Sequence, residues 1–244
     1  MKKSFIALAT TSALLFSSVS LAELTKEQQQ QLADINKLLE SNPEVIANLH
    51  QSLAKYVDGQ ALLEKAKAEN HDWLYNTKDH SITGNPDGKT VLINFTDYNC
   101  PYCKKLEAGI EQLVKEYDDV KVINIIVPLQ QQQVKGLDTN SAVYSLKVWQ
   151  EAPESFQEVH NLLVAKNGRH TKDSLEKIAK KTNTEKLLVE DSEIQKTVMK
   201  NYRAFNELGL GGTPAIFIGD QIIPGFIPYT QLKELVAKEI ESNG

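Results

Sequence analysis

The chain has only two cysteines among its 244 residues, and this scarcity limits what they can do. They stand together as Cys100 and Cys103, with Pro101 and Tyr102 between them. Because no other cysteine is present, neither sulfur has a second partner within the chain. A disulfide between them would close a very small loop and would stabilise the fold little. We therefore interpret the pair as a reactive one rather than as a structural crosslink.

The sequence also lacks the additional ligands that a metal site at this pair needs. A structural zinc ion takes four ligands, and the chain has no second cysteine pair. The five histidines are His50, His71, His80, His160 and His170, and no two are three to five residues apart. A c-type haem site is excluded because Lys104 stands where a histidine must follow the second cysteine. We expect neither a metal nor another cofactor.

An excess of positive charge is absent, since 32 acidic residues outnumber 27 basic ones. The lysines are scattered among acids, so nothing indicates nucleic acid binding. After residue 22 there is no apolar run long enough to span a bilayer. The first 22 residues combine Lys2 and Lys3, a short apolar stretch and a small-residue end at Ala22, which is typical of a secretory signal peptide. We expect cleavage after Ala22 and export to the periplasm; an uncleaved anchor is the alternative.

Residues 24–58 are predicted to form two short amphipathic helices. The first helix carries four apolar residues at helical spacing, Leu32, Ile35, Leu38 and Leu39. Pro43 marks the start of the second, and Asp58-Gly59 is expected to end it. A further helical run covers residues 60–75. Because such short helices are marginal alone, their apolar stripe must pack on the rest of the chain, on each other or on a second copy. We interpret residues 23–75 as a helical oligomerisation or linker segment.

Residues 76–244 have the pattern of an α/β domain. A strand over 90–96, a helix over 100–117 and a strand over 120–127 form a βαβ unit. Helical segments fill about 138–208. Two short strands, over 215–218 and 221–223, and a helix over 228–241 follow. The prediction is therefore a βαβ half, a helical insertion and a ββα half, preceded by the N-terminal helical segment.

The position of the cysteine pair, between a strand and a helix, is typical of thiol–disulfide chemistry. Cys100 would lie at the helix N-terminus, where free backbone N–H groups and the helix dipole favour a thiolate. Cys103 would lie one turn further along, close enough to attack a mixed disulfide and release the partner. Separately, Thr213-Pro214 leads into a strand, the position where a proline is tolerated.

Together, these two features resemble the thioredoxin-fold disulfide oxidoreductases of the DsbA family. The resemblance implies a thioredoxin-like fold in which Cys100 is the exposed nucleophile and Cys103 the shielded resolving thiol. It implies that Pro101 and Tyr102 influence the stability of the thiolate. It also implies a cis bond at Thr213-Pro214, whose backbone groups would pair with an extended substrate chain.

The sequence departs from that family at two positions. Tyr102 stands where many members have a histidine that helps to stabilise the thiolate, so this site is expected to oxidise less strongly. Asn94 occupies the strand position of a glutamate that relays the proton of the resolving thiol. Asp97 is the nearest acid, and we interpret it as either a possible proton relay or an ordinary loop carboxylate.

The helices before the domain, together with the local sequence from Asp97 to Cys103, resemble the ScsC-like periplasmic group. In that group such a segment assembles several catalytic domains. The resemblance implies a homo-oligomer formed through residues 24–58 that isomerises or reduces disulfides in exported cysteine-containing proteins, with a membrane redox partner of the DsbB or DsbD type. Two alternatives stay open: a monomeric DsbA-like oxidase, and a periplasmic chaperone or copper-sequestering thiol protein.

Overall fold

The computed structural model describes residues 24–243 of the chain. The signal peptide and cleavage site predicted over residues 1–22 lie outside this range. The described residues divide into two compact units, 24–57 and 58–243. No helix within this part of the chain combines the length and the apolar character that crossing a bilayer requires.

The N-terminal unit consists of helical segments with exposed side chains. Helix α1 spans Lys26–Ser41 and begins with a capping box, in which the Thr25 hydroxyl accepts from the Gln28 N–H and the Gln28 side chain accepts from the Thr25 N–H. A 3₁₀ turn covers Pro43–Val45, and helix α2 begins at Ile46. No residue of α1 is buried. The first predicted helix is present as α1, whereas the second forms only the start of the longer α2. Apolar side chains in both stretches are exposed.

Helix α2 spans Ile46–Tyr75, so the predicted stop at Asp58-Gly59 is wrong. A glycine inside a helix costs only about 1 kcal/mol relative to alanine. The helical pattern resumes at once after Gly59, and Ala66 and Leu74 are buried further along α2. The burial of these later turns outweighs the weak local preference for a break.

Within residues 24–243, five strands form one mixed sheet in the order β1-β3-β2-β4-β5. Their bounds are β1 Ser81–Gly84, β2 Thr90–Thr96, β3 Val120–Ile126, β4 Ala215–Ile218 and β5 Gln221–Pro224. The β2 and β3 strands pair in parallel, and the other pairings are antiparallel. The short strand β1 was not predicted, because four residues directly before a turn give little periodicity and its pairing with β3 is set by the tertiary fold.

Six more helices complete the described part of the large unit. They are α3 Pro101–Glu116, α4 Ser141–Glu151, α5 Pro153–Ala165, α6 Lys172–Lys181, α7 Ser192–Glu207 and α8 Tyr229–Asn243. A 3₁₀ turn covers Glu185–Leu187. The βαβ half, the helical insertion and the ββα half predicted from the sequence are all present. Helices α4 to α7 make up the insertion between β3 and β4.

The core of the large unit has three parts. Apolar residues of α3 and α8, including Leu106 and Leu232, pack against Leu92 of β2. Phe95 of β2 belongs to a second cluster together with Phe205 of α7. A third cluster lies within the insertion. The sheet is thus covered by separate clusters of packed side chains, and the end of β2 leads directly into the cysteine pair.

Candidate active site

Cys100 is the residue that caps the N-terminus of α3. Its backbone is extended (φ −86°, ψ 121°), and Pro101 follows at the first helical position. The Cys103 backbone N–H donates to the Cys100 sulfur at 3.4 Å. The sulfur therefore occupies the place where the free N–H groups and the dipole of α3 stabilise negative charge.

The two sulfurs have opposite acidities. The hydrogen bond from the Cys103 side chain, assisted by backbone N–H groups of the α3 N-terminus, lowers the pKa of Cys100 to about 6 against the opposing effect of burial. Burial, followed by the neighbouring Cys100 sulfur, raises the pKa of Cys103 well above its ordinary value. Both sulfurs are free thiols in the structure. Near neutral pH the first is a thiolate and the second keeps its proton.

The expectation that Cys100 would be exposed is wrong. Cys100 is 4% exposed and Cys103 is 3% exposed. Cys100 is shielded because it lies against the loop before β4, where its sulfur contacts the Thr213 carbonyl at 3.3 Å. The two cysteines therefore differ in acidity and not in exposure.

The Thr213-Pro214 step lies beside the cysteines, although 113 residues separate Thr213 from Cys100 in sequence. The peptide bond between Thr213 and Pro214 is cis. The Pro214 carbonyl accepts from the Gly225 N–H at 2.8 Å, which ties this loop to the segment that follows β5. The fold thus brings the two predicted motifs to one site.

Tyr102 presents its ring at the surface next to the pair, with 56% of the residue exposed. The ring centroid lies 6.5 Å from that of Phe226, and the Lys105 ammonium lies 5.5 Å from the Tyr102 ring. Pro101 is exposed as well. Phe226 was not predicted as a site residue; its nearness depends on the pairing of β5 with β4.

Asn94 lies in a buried polar row that crosses the sheet. Its side-chain N–H₂ donates to the Asn124 side chain at 3.0 Å, and Asn124 donates in turn to the Thr83 hydroxyl at 3.0 Å. An amide does not take up a proton at physiological pH. The position that carries an acid in the DsbA family therefore joins strands β2, β3 and β1 here.

Asp97 is buried, so it is not an ordinary solvated loop carboxylate. One carboxylate oxygen accepts from the Asn99 N–H and the other from the Gln130 N–H, both at 2.8 Å. Burial raises the pKa of Asp97 above its usual range despite these two hydrogen bonds. A carboxyl group of this kind, three residues before Cys100, is suited to exchanging a proton.

Lys104 is partly buried beside the pair. Its ammonium donates to the carbonyls of Lys166 and Gly168, in the loop between α5 and α6. Burial lowers the pKa of Lys104. Lys104 is therefore tied to the insertion rather than being a freely solvated lysine.

Sequence reasoning missed four buried polar residues around the pair: Tyr98, Asn99, Glu107 and His160. One signal was present, because Glu107 lies four residues after Cys103 and shares its helix face with apolar side chains. A carboxylate on such a face is rarely left without a partner. Within residues 24–243, no group of three or more histidine, cysteine, aspartate or glutamate side chains is arranged to hold a metal ion.

Comparison with known proteins gives a consistent result. A family model described as thioredoxin matches residues 76–238. Disulfide bond formation protein D of Bacillus subtilis (strain 168) is 26% identical over 175 residues, covering 67% of this chain and 78% of that protein. A mutant of Proteus mirabilis ScsC that lacks its linker is 35% identical with a TM-score of 0.70, covering 91% of this chain and 100% of that one.

A periplasmic thioredoxin-like protein from Salmonella enterica serovar Typhimurium is 34% identical with a TM-score of 0.62, covering 70% of this chain and 95% of that one. The range matched by the family model, residues 76–238, includes the cysteine pair, the cis-proline loop and the helical insertion. The chain therefore belongs to the thioredoxin family, among the DsbA-like thiol:disulfide oxidoreductases that include ScsC.

Proposed function

We propose that this protein exchanges disulfides with the cysteines of exported proteins in the periplasm, as an oligomeric isomerase or reductase. The observation that carries the proposal is the opposite acidity of Cys100 and Cys103 at the N-terminus of α3. A thiolate that forms below neutral pH attacks disulfides, and a protonated neighbour waits until a mixed disulfide exists.

The exchange begins when the Cys100 thiolate attacks one sulfur of a client disulfide. A bond forms between Cys100 and that sulfur, the client bond breaks, and the other client sulfur leaves as a thiolate and takes a proton. If Cys103 then loses its proton and attacks Cys100, the protein is oxidised and the client is reduced by two electrons. If another client thiolate instead attacks the client sulfur of the mixed disulfide, a new client disulfide forms and Cys100 leaves as a thiolate. The client is then isomerised without net electron transfer.

Asp97 is the group we propose as proton acceptor for Cys103. The Asp97 backbone partly offsets the rise in the pKa of Cys103, so the two residues are neighbours. Asn94 cannot take this role, because its amide holds no exchangeable acid proton near neutral pH. An Asp97→Asn variant should form the mixed disulfide normally and release the client more slowly.

Thr213 and Pro214 are the residues we propose for substrate binding. They lie beside the Cys100 sulfur, and Thr213 is partly exposed. An extended client segment that pairs with this backbone would bring its cysteine to Cys100. Pro101 and Tyr102 would then face the client, since both are exposed next to the pair.

The N-terminal unit supports the proposal of assembly. Its exposed apolar residues are Leu24, Leu32, Ile35, Leu38, Val45, Ile46, Leu49, Leu53, Tyr56 and Val57. A stripe of this extent is typical of a surface that a second copy covers. Assembly through residues 24–58 would place several Cys100 thiolates around one client, an arrangement that favours reshuffling of wrong disulfides.

The direction of electron flow depends on whether the cell keeps the Cys100 and Cys103 pair reduced or oxidised. An isomerase or reductase must be kept reduced, by a membrane partner of the DsbD type, whereas an oxidase is kept oxidised by a DsbB-type partner. Tyr102 supplies no cation to stabilise the thiolate, which favours a role as an isomerase or reductase over a role as an oxidase. The periplasmic location is supported by the signal-like start of the chain and by its similarity to the periplasmic Salmonella protein.

A trapping experiment tests the reaction. The Cys103→Ala variant should accumulate mixed disulfides with exported proteins, because Cys100 attacks and nothing releases it. The matched Cys100→Ser variant should accumulate none. If neither variant captures a client, or both do so equally, the protein is not a thiol–disulfide exchange catalyst of this type, and the alternatives of a chaperone or copper-sequestering protein gain support.

Alkylation of thiols in intact cells tests the direction. We expect Cys100 and Cys103 to be mostly reduced, with both sulfurs modified by the alkylating reagent. A mostly oxidised pair would show that the protein acts as a DsbA-like oxidase.

A further inference from the structure

The three residues before Cys100 are each anchored to the region between β3 and α6. Asp97 accepts from the Gln130 N–H. Asn99 donates to the Ser141 hydroxyl at 3.1 Å and accepts from the His170 N–H at 2.8 Å. The Tyr98 hydroxyl is hydrogen-bonded to Nδ1 of His160 at 2.9 Å. The loop that delivers the nucleophile is therefore fixed from the helical insertion.

His160, on α5, also reaches the other side of the cysteine pair. Its Nε2 is hydrogen-bonded to Oε1 of Glu107 at 3.0 Å. Tyr98 lies two residues before Cys100, and Glu107 lies four residues after Cys103 on α3. One imidazole ring thus bridges both flanks of the motif.

This bridge is enclosed and its hydrogen bonds are mutually consistent. Tyr98 is 4% exposed, and Glu107 and His160 are each 2% exposed. A carboxylate only accepts hydrogen bonds, so Nε2 donates to Glu107, and Nδ1 is left for the bond with the Tyr98 hydroxyl. Phe156, with its ring centroid 5.7 Å from that of His160, packs on the same ring. A buried and satisfied polar chain of this kind holds its members in one arrangement.

We propose that His160 is a positioning residue for the thiol–disulfide site, which clamps the Tyr98 loop and the Glu107 turn of α3 so that the Cys100 sulfur stays at the helix N-terminus. The proposal rests on the proposed function and explains how the insertion contributes to it. His160 contacts neither sulfur and acts through the backbone on both sides of the pair.

The consequence of releasing the clamp follows from the geometry of Cys100. The bond from the Cys103 N–H to the Cys100 sulfur is already 3.4 Å long, so a small shift of the preceding loop weakens it. The thiolate would lose part of its stabilisation, and the pKa of Cys100 would rise from about 6 towards the ordinary cysteine value of about 8.5. If the bridge of Tyr98, His160 and Glu107 served stability alone, breaking it would leave the pKa of Cys100 unchanged.

The Tyr98→Phe variant is the main test, because it removes one hydroxyl and keeps the ring. The measurement is the pH dependence of Cys100 alkylation in the reduced full-length protein, with the modified residue identified by mass spectrometry. We expect the inflection to move upward by about 0.5 to 1 pH unit, which corresponds to the net free energy of one hydrogen bond. Tyr144→Phe is the matched control: Tyr144 belongs to the same apolar cluster, and its hydroxyl bonds Thr184, away from the cysteines.

A second pair of variants tests the other end of the bridge. Glu107→Gln keeps an oxygen that accepts from His160, whereas Glu107→Leu does not. We expect Glu107→Gln to retain most of the parent's inflection and Glu107→Leu to shift it as Tyr98→Phe does. The proposal is overturned if Tyr98→Phe and Tyr144→Phe lower the melting temperature alike and both keep the parent's inflection. Failure of client capture by the Cys103→Ala variant would refute the proposed function instead, since the alkylation measurement needs no client.

Discussion

Residues 24–57 and residues 58–243 use their apolar side chains in opposite ways. No side chain in the first range is buried, although its leucines and isoleucines recur at helical spacing. In the second range, Leu92, Phe95 and Leu106 are buried almost completely, in two of three packed clusters. The large unit therefore stabilises itself and contains the thiol chemistry, whereas the small unit presents an apolar surface that its own residues do not cover.

Deleting residues 24–57 tests this division most directly. We expect the proposed oligomer to dissociate into monomers, because the proposed contact surface is gone. Reduction of insulin should persist, since Cys100 and its partners all lie in the large unit. Refolding of a substrate with scrambled disulfides should be lost. Analytical ultracentrifugation and the two activity assays measure these outcomes.

Two results would contradict the division. A parent protein that sediments as a monomer would remove the support for an oligomeric isomerase. A truncated protein that remains oligomeric would place the contact surface within residues 58–243.

Single substitutions on the small unit should have a smaller effect of the same kind. Leu38 is 64% exposed and Leu53 is 58% exposed, and burying a leucine contributes about 1.5 to 3 kcal/mol. Leu38→Asp or Leu53→Asp should therefore raise the dissociation constant of the oligomer by about tenfold to a hundredfold. Met199→Asp is the control, because Met199 is 72% exposed but lies on α7 of the large unit. Equal weakening by all three variants would argue against a specific contact surface.

The sequence was sufficient for features that depend on local pattern. The bounds of β2 and β4 agree with the prediction because turn residues or prolines flank clear apolar runs. The cysteine pair was recognisable because its two partners are three residues apart.

Features that depend on distant contacts were missed. The burial of Cys100 arises from Thr213, and the anchoring of Tyr98 arises from His160 on another helix. Strand β1 exists because β3 offers an edge, and α2 passes through Gly59 because later turns are buried. Each of these depends on a partner far along the chain, which periodicity and spacing do not encode.

The large unit should also have its own dependence of stability on pH. Burial lowers the pKa of His80 and of His170 to about 4, so both rings stay neutral in the folded state while the unfolded chain takes up protons below about pH 6.5. The free energy of unfolding should therefore fall as the pH decreases from 6.5 to 4, by up to about 1.4 kcal/mol per pH unit for each ring.

Denaturant titrations at several pH values measure this slope. His170→Gln removes one of the two titrating rings, so its decline with acidification should be shallower than that of the parent. The difference between parent and variant isolates His170 from the carboxyl groups that titrate in the same range. Parallel curves for the two proteins would show that His170 takes up its proton at the same pH in the folded state as in the unfolded chain.

The smallest expected effect concerns Gly59, next to the boundary between the two units. A Cβ at this position would have no atom within 4 Å, and the residue lies inside α2. Gly59→Ala should therefore stabilise the helix by about 0.5 to 1 kcal/mol, measured by thermal unfolding followed by circular dichroism. Gly209→Ala is the matched control: it also has open space, but its φ of +67° is left-handed, so the same substitution should destabilise. If Gly59→Ala destabilised the protein as Gly209→Ala does, residue 59 would not be helical in solution, and the break predicted at Asp58-Gly59 would separate the assembling helices from the catalytic unit.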